Sequence, residues 1–137
     1  MNLRAGKLPV EILRALLASI PHSDPSVLVQ VSVSEDAAVI DTGESELLVA
    51  KTDPITFVTE DAGRYLLGVN ANDLATTGAE PRWLLVCALL PEGAGEERIF
   101  CILESLKRAC AGTGVSLVGG HTEIPAGGLA IEGDLGH

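Results

Sequence analysis

Apolar residues occur along this chain in two spacings, and the order in which these spacings alternate limits the folds that it can adopt. A helical spacing predicts helices over residues 8–20, 61–77 and 96–111. Short apolar runs between turn residues predict strands over residues 27–31, 37–40, 47–50, 83–90, 115–118 and 129–131. This order predicts an α+β domain whose helices lie on one face of a mixed, mostly antiparallel sheet of about four to five strands.

The composition predicts one packed domain over residues 1–137. Apolar residues make up 47% of the chain, and a domain of this length buries roughly two-thirds of its unfolded surface. The net charge of −10 repels phosphate backbones and anionic lipids, which argues against nucleic acid and membrane as partners. The N-terminus lacks the apolar core of a secretory signal, and no stretch approaches the roughly 20 apolar residues of a membrane span.

The cysteines Cys87, Cys101 and Cys110 show no metal-binding spacing and lie in apolar or helical patterns. We therefore predict that they are buried, reduced thiols. Reduced thiols suit a reducing compartment, so the expected location is cytoplasmic.

Four polar clusters interrupt the apolar segments and are candidates for a functional site. They are Glu35-Asp36, Lys51-Thr52-Asp53-Pro54, Asn70-Ala71-Asn72-Asp73 and Gly119-Gly120-His121-Thr122-Glu123. Three clusters lie beside predicted strands, but the third lies inside a predicted helix, where Asn and Asp are unfavourable. Asn70, Asp73 and Thr77 share one face of that helix, which either has a polar partner or faces solvent.

Convergence of Asp36, Asp53 and Asp73 would require a counter-ion. Two carboxylates about 5 Å apart repel by about 3 kcal/mol at an effective dielectric constant of about 20. Such a site either takes up protons or binds a hard cation such as Mg²⁺, which commonly shares its ligands with substrate phosphates. The residues alone leave both possibilities open.

The glycine pair Gly119-Gly120 also has two interpretations. Its backbone N–H groups can approach a phosphate closely, or the pair can form a tight turn after a strand. Lys7 and Lys51 are able to neutralise phosphate, although a single Lys is more often a surface charge. His121 is compatible with a ligand, an acid–base group or a turn residue.

The clusters, in this order and spacing, resemble the N-terminal domain of one enzyme superfamily. Its members include aminoimidazole ribonucleotide synthetase, the hydrogenase-maturation protein HypE, thiamine monophosphate kinase and selenophosphate synthetase. The matching strings are GKLPVEIL (6–13), EDAAVID (35–41), KTDPITF (51–57), VNANDLATTGAEPRWLL (69–85), LLPEG (89–93) and VGGHTEIP (118–125). The similarity is strongest to the synthetase-related, HypE-like branch.

The resemblance implies a homodimer in which the two sheets pair into a β-barrel, with ATP and Mg²⁺ bound near the interface. The residues that match the family's nucleotide-binding positions are Asp36, Asp53, Asn70, Asn72, Asp73, Gly119, Gly120, His121 and Thr122. Among these, Asp36, Asp53 and Asp73 are the expected metal ligands, and Gly119, Gly120 and Thr122 match a Gly-Gly-x-Thr turn near the phosphates.

Two features depart from the family pattern. His121 stands where the kinase-like and HypE-like branches carry Asp and where the synthetase carries Glu. Because imidazole is a poor ligand for Mg²⁺, either Glu123 becomes the metal ligand or one metal site is lost. The family's C-terminal domain is also absent from this chain, so we expect it to need that missing half or a partner protein to complete a reaction.

Three functions follow from the resemblance. The first is an ATP- and Mg²⁺-binding, dimer-forming domain of a synthetase-like enzyme that phosphorylates an amide-like oxygen. The second is a phosphotransferase like thiamine monophosphate kinase, against which His121 argues. The third is a non-catalytic dimerisation or regulatory module.

Overall fold

The computed structural model describes residues 6–56 and 61–125, which form an α+β arrangement. The elements are α1 (Val10–Ala18), β1 (Val27–Val29), β2 (Ala37–Ile40), β3 (Leu48–Lys51), α2 (Ala62–Thr76), β4 (Trp83–Leu89), α3 (Glu96–Thr113) and β5 (Ser116–Glu123). Every helix and strand predicted over these residues is present, and the predicted strand over 129–131 lies outside the described residues. The chain divides into two compact units, one of Met1–Thr52 with Asn72–Ala79, the other of Asp53–Ala71 with Glu80–His137.

The first unit contains an antiparallel sheet in the order β1-β2-β3. Strands β2 and β3 pair from Ala37 opposite Lys51 to Ile40 opposite Leu48, which confirms the predicted hairpin. The connecting turn uses Gly43 at a φ of +81°, where a residue without Cβ is favoured. The Gly43 N–H also donates to Asp41 Oδ1 at 2.8 Å, so local turn chemistry sets the register of the hairpin.

The second unit contains a parallel pair, β4 and β5, and this differs from the predicted single sheet of four to five strands. Strand β4 reaches β5 through helix α3, and such a crossover produces parallel pairing. The shorter connections of β1, β2 and β3 instead produce antiparallel pairing. Among the described residues the five strands therefore form two sheets.

The core of the second unit lies where α3 meets the strands and the loops around them. The buried apolar side chains there are Leu67, Leu90, Leu106, Cys110 and Val115. The predicted burial of Cys110 is thus confirmed, but the predicted burial of Cys87 and Cys101 is wrong, because both are exposed. Cys87 belongs to the alternating positions of β4 that face outward, and Cys101 lies on the outer side of α3.

The described helices are amphipathic or mixed in polarity. The longest, α3, has 18 residues and carries acidic side chains in its first turn, which suits the positive end of the helix dipole. No helix in the described ranges is long and apolar enough to cross a membrane.

Helices α2 and α3 approach each other closely at Gly63. A Cβ at this position would collide with the backbone of Ser105 and Leu106, so the contact requires glycine. The Gly63 N–H, one of the unpaired donors at the start of α2, donates to Ser105 Oγ at 2.9 Å. The Ser105 hydroxyl in turn donates to Asp61 Oδ1 at 3.2 Å. Ser105 as a whole residue is only 1% exposed.

Substituting Gly63 tests this contact. Gly63→Ala should lower the free energy of unfolding by about 1–3 kcal/mol, because the added methyl forces the two helices apart. Gly68→Ala is the matched control, since Gly68 lies in the same helix with open space around it. It should be neutral or stabilise the protein by about 0.5–1 kcal/mol. Urea denaturation followed by circular dichroism measures both, and equal effects would contradict the proposed contact.

Candidate functional site

An ion pair joins two of the polar clusters identified in the sequence. Lys51 ends strand β3 and Asp73 lies near the end of α2, and Lys51 Nζ is 2.5 Å from Asp73 Oδ2. The Lys51 side chain is 4% exposed and that of Asp73 is 31% exposed. Lys51 is therefore not the surface charge that its sequence context favours, because its ammonium group lies beneath the surface against a carboxylate.

Asp36 belongs to the same region of the first unit. It directly precedes Ala37, and Ala37 is the residue opposite Lys51 in the β2–β3 pairing. Asp36 is exposed and stands at the end of the hairpin to which Asp73 is tied through Lys51. Three polar clusters that are separate in the sequence thus contribute to one end of one hairpin.

The polar face of α2 was expected either to have a polar partner or to face solvent. Asn70 on this face has hydrogen-bond partners. Asn70 Nδ2 donates to the carbonyl oxygen of Leu66 at 2.9 Å and to that of Asp53 at 3.3 Å. The latter bond ties the segment after β3 to α2 within the second unit. Thr77 is exposed, so the solvent-facing interpretation holds for that residue of the face, and Asn72, which lies off the face, is exposed as well.

The segment predicted as a Gly-Gly-x-Thr turn is part of a strand, which corrects the prediction. Strand β5 extends from Ser116 to Glu123 and pairs with β4, with a shift of register at Val118, between the pairs Leu84–Leu117 and Leu85–Gly119. A Cβ at Gly120 would collide with backbone atoms of Val86. The close approach of the two strands therefore explains this glycine without a ligand.

A cavity of about 250 Å³ lies between α3 and the parallel strands. Its lining includes apolar side chains such as Val86, Ile102 and Leu106. Residues of β5 also line it, namely Gly119, Gly120, His121 and Thr122. Most of the lining side chains are apolar, and they give a phosphate group little compensation for its lost hydration. This side of β5 is thus unsuited to phosphate, and a phosphate contact from Gly119 or Gly120 must use the other face or the open edge of the strand.

His121 and Glu123 lie on the same face of β5, because they are two residues apart in a strand. His121 Nε2 is 3.5 Å from Glu123 Oε2, and both side chains are more than half exposed. The His121 imidazole thus lies beside the Glu123 carboxylate. Glu123 is the residue predicted to act as a metal ligand in place of residue 121.

The predicted metal ligands Asp36, Asp53, Asp73 and Glu123 stay a prediction. Within residues 6–56 and 61–125, no three His, Cys, Asp or Glu side chains are arranged to hold a metal ion together. The Asp73 side chain is 31% exposed, and its Oδ2 is paired with the Lys51 ammonium group. Carboxylate oxygen is the ligand type that Mg²⁺ prefers.

The family profile described as AIR synthase related protein, N-terminal domain, matches residues 34–133. The chain belongs to this family. Selenide, water dikinase of Photobacterium profundum is 34% identical over 89% of this AIR synthase related chain and 37% of the relative. A putative hydrogenase expression/formation protein of Methanocaldococcus jannaschii is 26% identical over 93% of the chain and 39% of the relative.

A third relative, thiamine-monophosphate kinase of Haemophilus influenzae, is 30% identical over 69% of the chain and 31% of the relative. The matched region thus spans less than two-fifths of the length of each of these relatives. The comparisons confirm the resemblance found in the sequence, and they concern the N-terminal part of the family.

The Lys51–Asp73 pair should contribute to stability. Asp73→Asn removes the carboxylate next to a side chain that is 4% exposed, which we expect to cost about 1–3 kcal/mol of unfolding free energy. This is less than the loss of a fully buried pair, since Asp73 is partly solvated. Glu104→Gln is the matched control, because the Glu104–Lys107 pair at 2.6 Å is solvated on both sides.

Urea denaturation of the two variants in parallel measures the difference. The control should unfold at the denaturant concentration of the wild type. Equal midpoints for Asp73→Asn and the wild type would show that the buried ion pair does not stabilise the fold.

Proposed function

We propose that this chain is the ATP- and Mg²⁺-binding, dimer-forming part of an ATP-dependent phosphoryl-transfer enzyme. The observation that carries the proposal is the Lys51–Asp73 ion pair at the end of the β2–β3 hairpin that Asp36 precedes, in a member of the AIR synthase related family. Curated relatives named as a dikinase and a kinase support the reaction class.

The charges at the hairpin end suit a triphosphate with its metal. Asp73 and Asp36 would supply carboxylate oxygens to the cation, with Asp53 and Glu123 as the further predicted ligands. Bound Mg²⁺ would neutralise charge on the phosphoryl group during transfer. Lys51 carries three N–H donors on its ammonium group, and it would contact a phosphate oxygen while staying close to Asp73.

Strand β5 would contribute through its backbone. Among the described residues β5 pairs with β4 on one side, so alternate N–H groups face the open edge of the strand. Gly119 lacks a side chain that would shield this edge, and it is less tightly enclosed than Gly120. Asn70 holds the segment at Asp53 in place and would act as a positioning residue.

The phosphoryl acceptor is the finer part of the proposal. The resemblance to the synthetase-related branch favours an amide-like oxygen as the acceptor. Of the relatives, one is named a selenide, water dikinase and another a thiamine-monophosphate kinase. Each of these relatives is more than twice as long as the matched region. We therefore propose that residues beyond those of this chain complete the acceptor site.

A non-catalytic dimerisation or regulatory module is the alternative function. It is favoured by the absence, among the described residues, of a three-ligand cluster for a metal. Nucleotide binding separates the two functions, because a regulatory module of this kind would dimerise without responding to ATP.

Isothermal titration calorimetry with ATP tests the leading function. Binding should require MgCl₂ and disappear in EDTA. Asp73→Asn should weaken binding at least about tenfold, since a lost contact to a charged group costs about 1.5–3 kcal/mol. Glu104→Gln, an equal change of charge on α3, should bind ATP like the wild type.

Measurements below the unfolding temperature of each variant keep the binding effect separate from stability. A folded wild-type dimer that binds no ATP with Mg²⁺ would contradict the nucleotide function and leave the regulatory module. Equal binding by Asp73→Asn and the wild type would exclude Asp73 as a metal ligand.

The proposed dimer rests on the open face of β4. Trp83, Leu85, Cys87 and Leu89 alternate along the strand and are exposed, with Leu85 exposed to 73%. A contiguous apolar strip of this kind is typical of surfaces that pack against another protein. Pairing of two such sheets would cover the strip, as the family resemblance implies.

A charge on this strip should disrupt the dimer. Leu85→Lys should shift the mass measured by light scattering during size-exclusion chromatography from dimer to monomer, because dimerisation would bury its charge. The control is Leu16→Lys on α1, where Leu16 is 55% exposed but lies outside the strip. A monomeric wild type, or equal effects of both variants, would contradict sheet pairing through β4.

A further inference from the structure

A second concave surface lies in the first unit and shares no residue with those assigned to nucleotide binding. It is formed by the end of α1 and the loop between β1 and β2, and we call it the α1–loop pocket. Its volume is about 410 Å³, and its lining includes Arg14, His22, Ser32 and Ser34. This volume is within the range of pockets that bind small molecules.

The loop wall of this pocket is a tight turn with an unusual residue. The Glu35 N–H donates to the carbonyl oxygen of Ser32 at 3.2 Å, which closes the turn. Ser34 has a φ of +81°, the conformation that the third residue of a type II turn needs. A residue with a Cβ is disfavoured there by about 1–2 kcal/mol, and the serine places a hydroxyl at the pocket wall instead.

The lining of the pocket contains the cationic side chain Arg14 and no carboxylate, while Asp24 and Glu35 lie close to lining residues in the sequence. His22 also lines the pocket, in a chain whose net charge is −10. The described residues provide neither Arg14 nor His22 with an ion-pair partner. The nearby Asp24 carboxylate accepts hydrogen bonds from the N–H and hydroxyl of Ser26, and these bonds lower the pKa of Asp24.

Two carbonyl groups in the last turn of α1 already have hydrogen-bond partners. The carbonyl oxygens of Leu16 and Leu17 accept hydrogen bonds from the N–H groups of Ser19 and Ile20, each at 3.1 Å. The Ser19 hydroxyl also donates to the Leu16 carbonyl at 2.6 Å. Arg14, His22 and the two serine hydroxyls therefore supply donors that an anion can use.

We infer that the α1–loop pocket binds the phosphate group of a small molecule. The Arg14 guanidinium matches the oxygens of a phosphate with a planar set of donors, and hydroxyl groups complete such sites. The pocket shares no residue with the set Asp36, Asp53, Asp73 and Glu123, so it is a separate site. A bound phosphate compound would be a second substrate or an effector of the domain.

Titration of the ¹⁵N-labelled 137-residue chain, followed by heteronuclear NMR, tests this inference. The probes are inorganic phosphate and glycerol 3-phosphate, added in EDTA at constant ionic strength with sodium chloride as the reference. Saturable shifts should centre on the amides of residues 14–34. Tighter binding of glycerol 3-phosphate would identify a phosphorylated molecule as the ligand, and equal binding would identify free phosphate.

Arg14→Gln should weaken binding at least about tenfold, because it removes a charged donor. Arg108→Gln makes the same change of charge on the exposed side of α3 and should leave binding unchanged. Ser32→Asp, which places a carboxylate at an exposed turn position, should abolish binding and serves as a second variant if Arg14→Gln fails to fold.

Three results would overturn the inference. They are shifts that do not saturate, shifts centred outside the pocket, and equal weakening by Arg14→Gln and Arg108→Gln. The last result would show only a general effect of charge. Because the buffer contains EDTA and the pocket shares no residue with the proposed metal ligands, failure here leaves the test of Mg²⁺-dependent ATP binding unaffected.

Discussion

The buried hydroxyl of Ser105 links α2 and α3 where the two helices approach closely in the second unit. It accepts the Gly63 N–H at the start of α2 and donates to Asp61, so one side chain on α3 fixes where the other helix begins. A side chain at position 63 would prevent this approach, and glycine therefore has a packing role in a helix, where it is otherwise unfavourable. The polar face of α2, which carries Asn70, depends on a helix anchored in this way.

Electrostatic compensation explains the arrangement of the first unit. The chain has 19 acidic residues and only 9 basic ones. One of these basic residues, Lys51, nevertheless lies beneath the surface beside Asp73. Desolvation makes such a placement unfavourable unless a carboxylate is in direct contact. Bringing a further carboxylate, Asp36, to the same hairpin end adds negative charge that a cation can balance.

Local signals predicted the helices and the β2–β3 hairpin, because spacing and turn chemistry act over a few residues. The sequence could not indicate that Gly120 faces the backbone of Val86, so a glycine pair in a strand was taken for a turn. The apolar surroundings of Cys87 predict a buried thiol, although Cys87 and its alternate neighbours in β4 face outward. The depth of Lys51 and the role of Ser105 depend on contacts between distant segments, which periodicity does not encode.

The open face of β4 also carries the residue that dominates the intrinsic fluorescence of the protein. Trp83 is the single tryptophan of the chain, and it is 62% exposed at the start of that strand. An indole ring in contact with water fluoresces at longer wavelength than one enclosed by apolar groups. The emission colour of the unlabelled protein therefore records whether anything covers this strand.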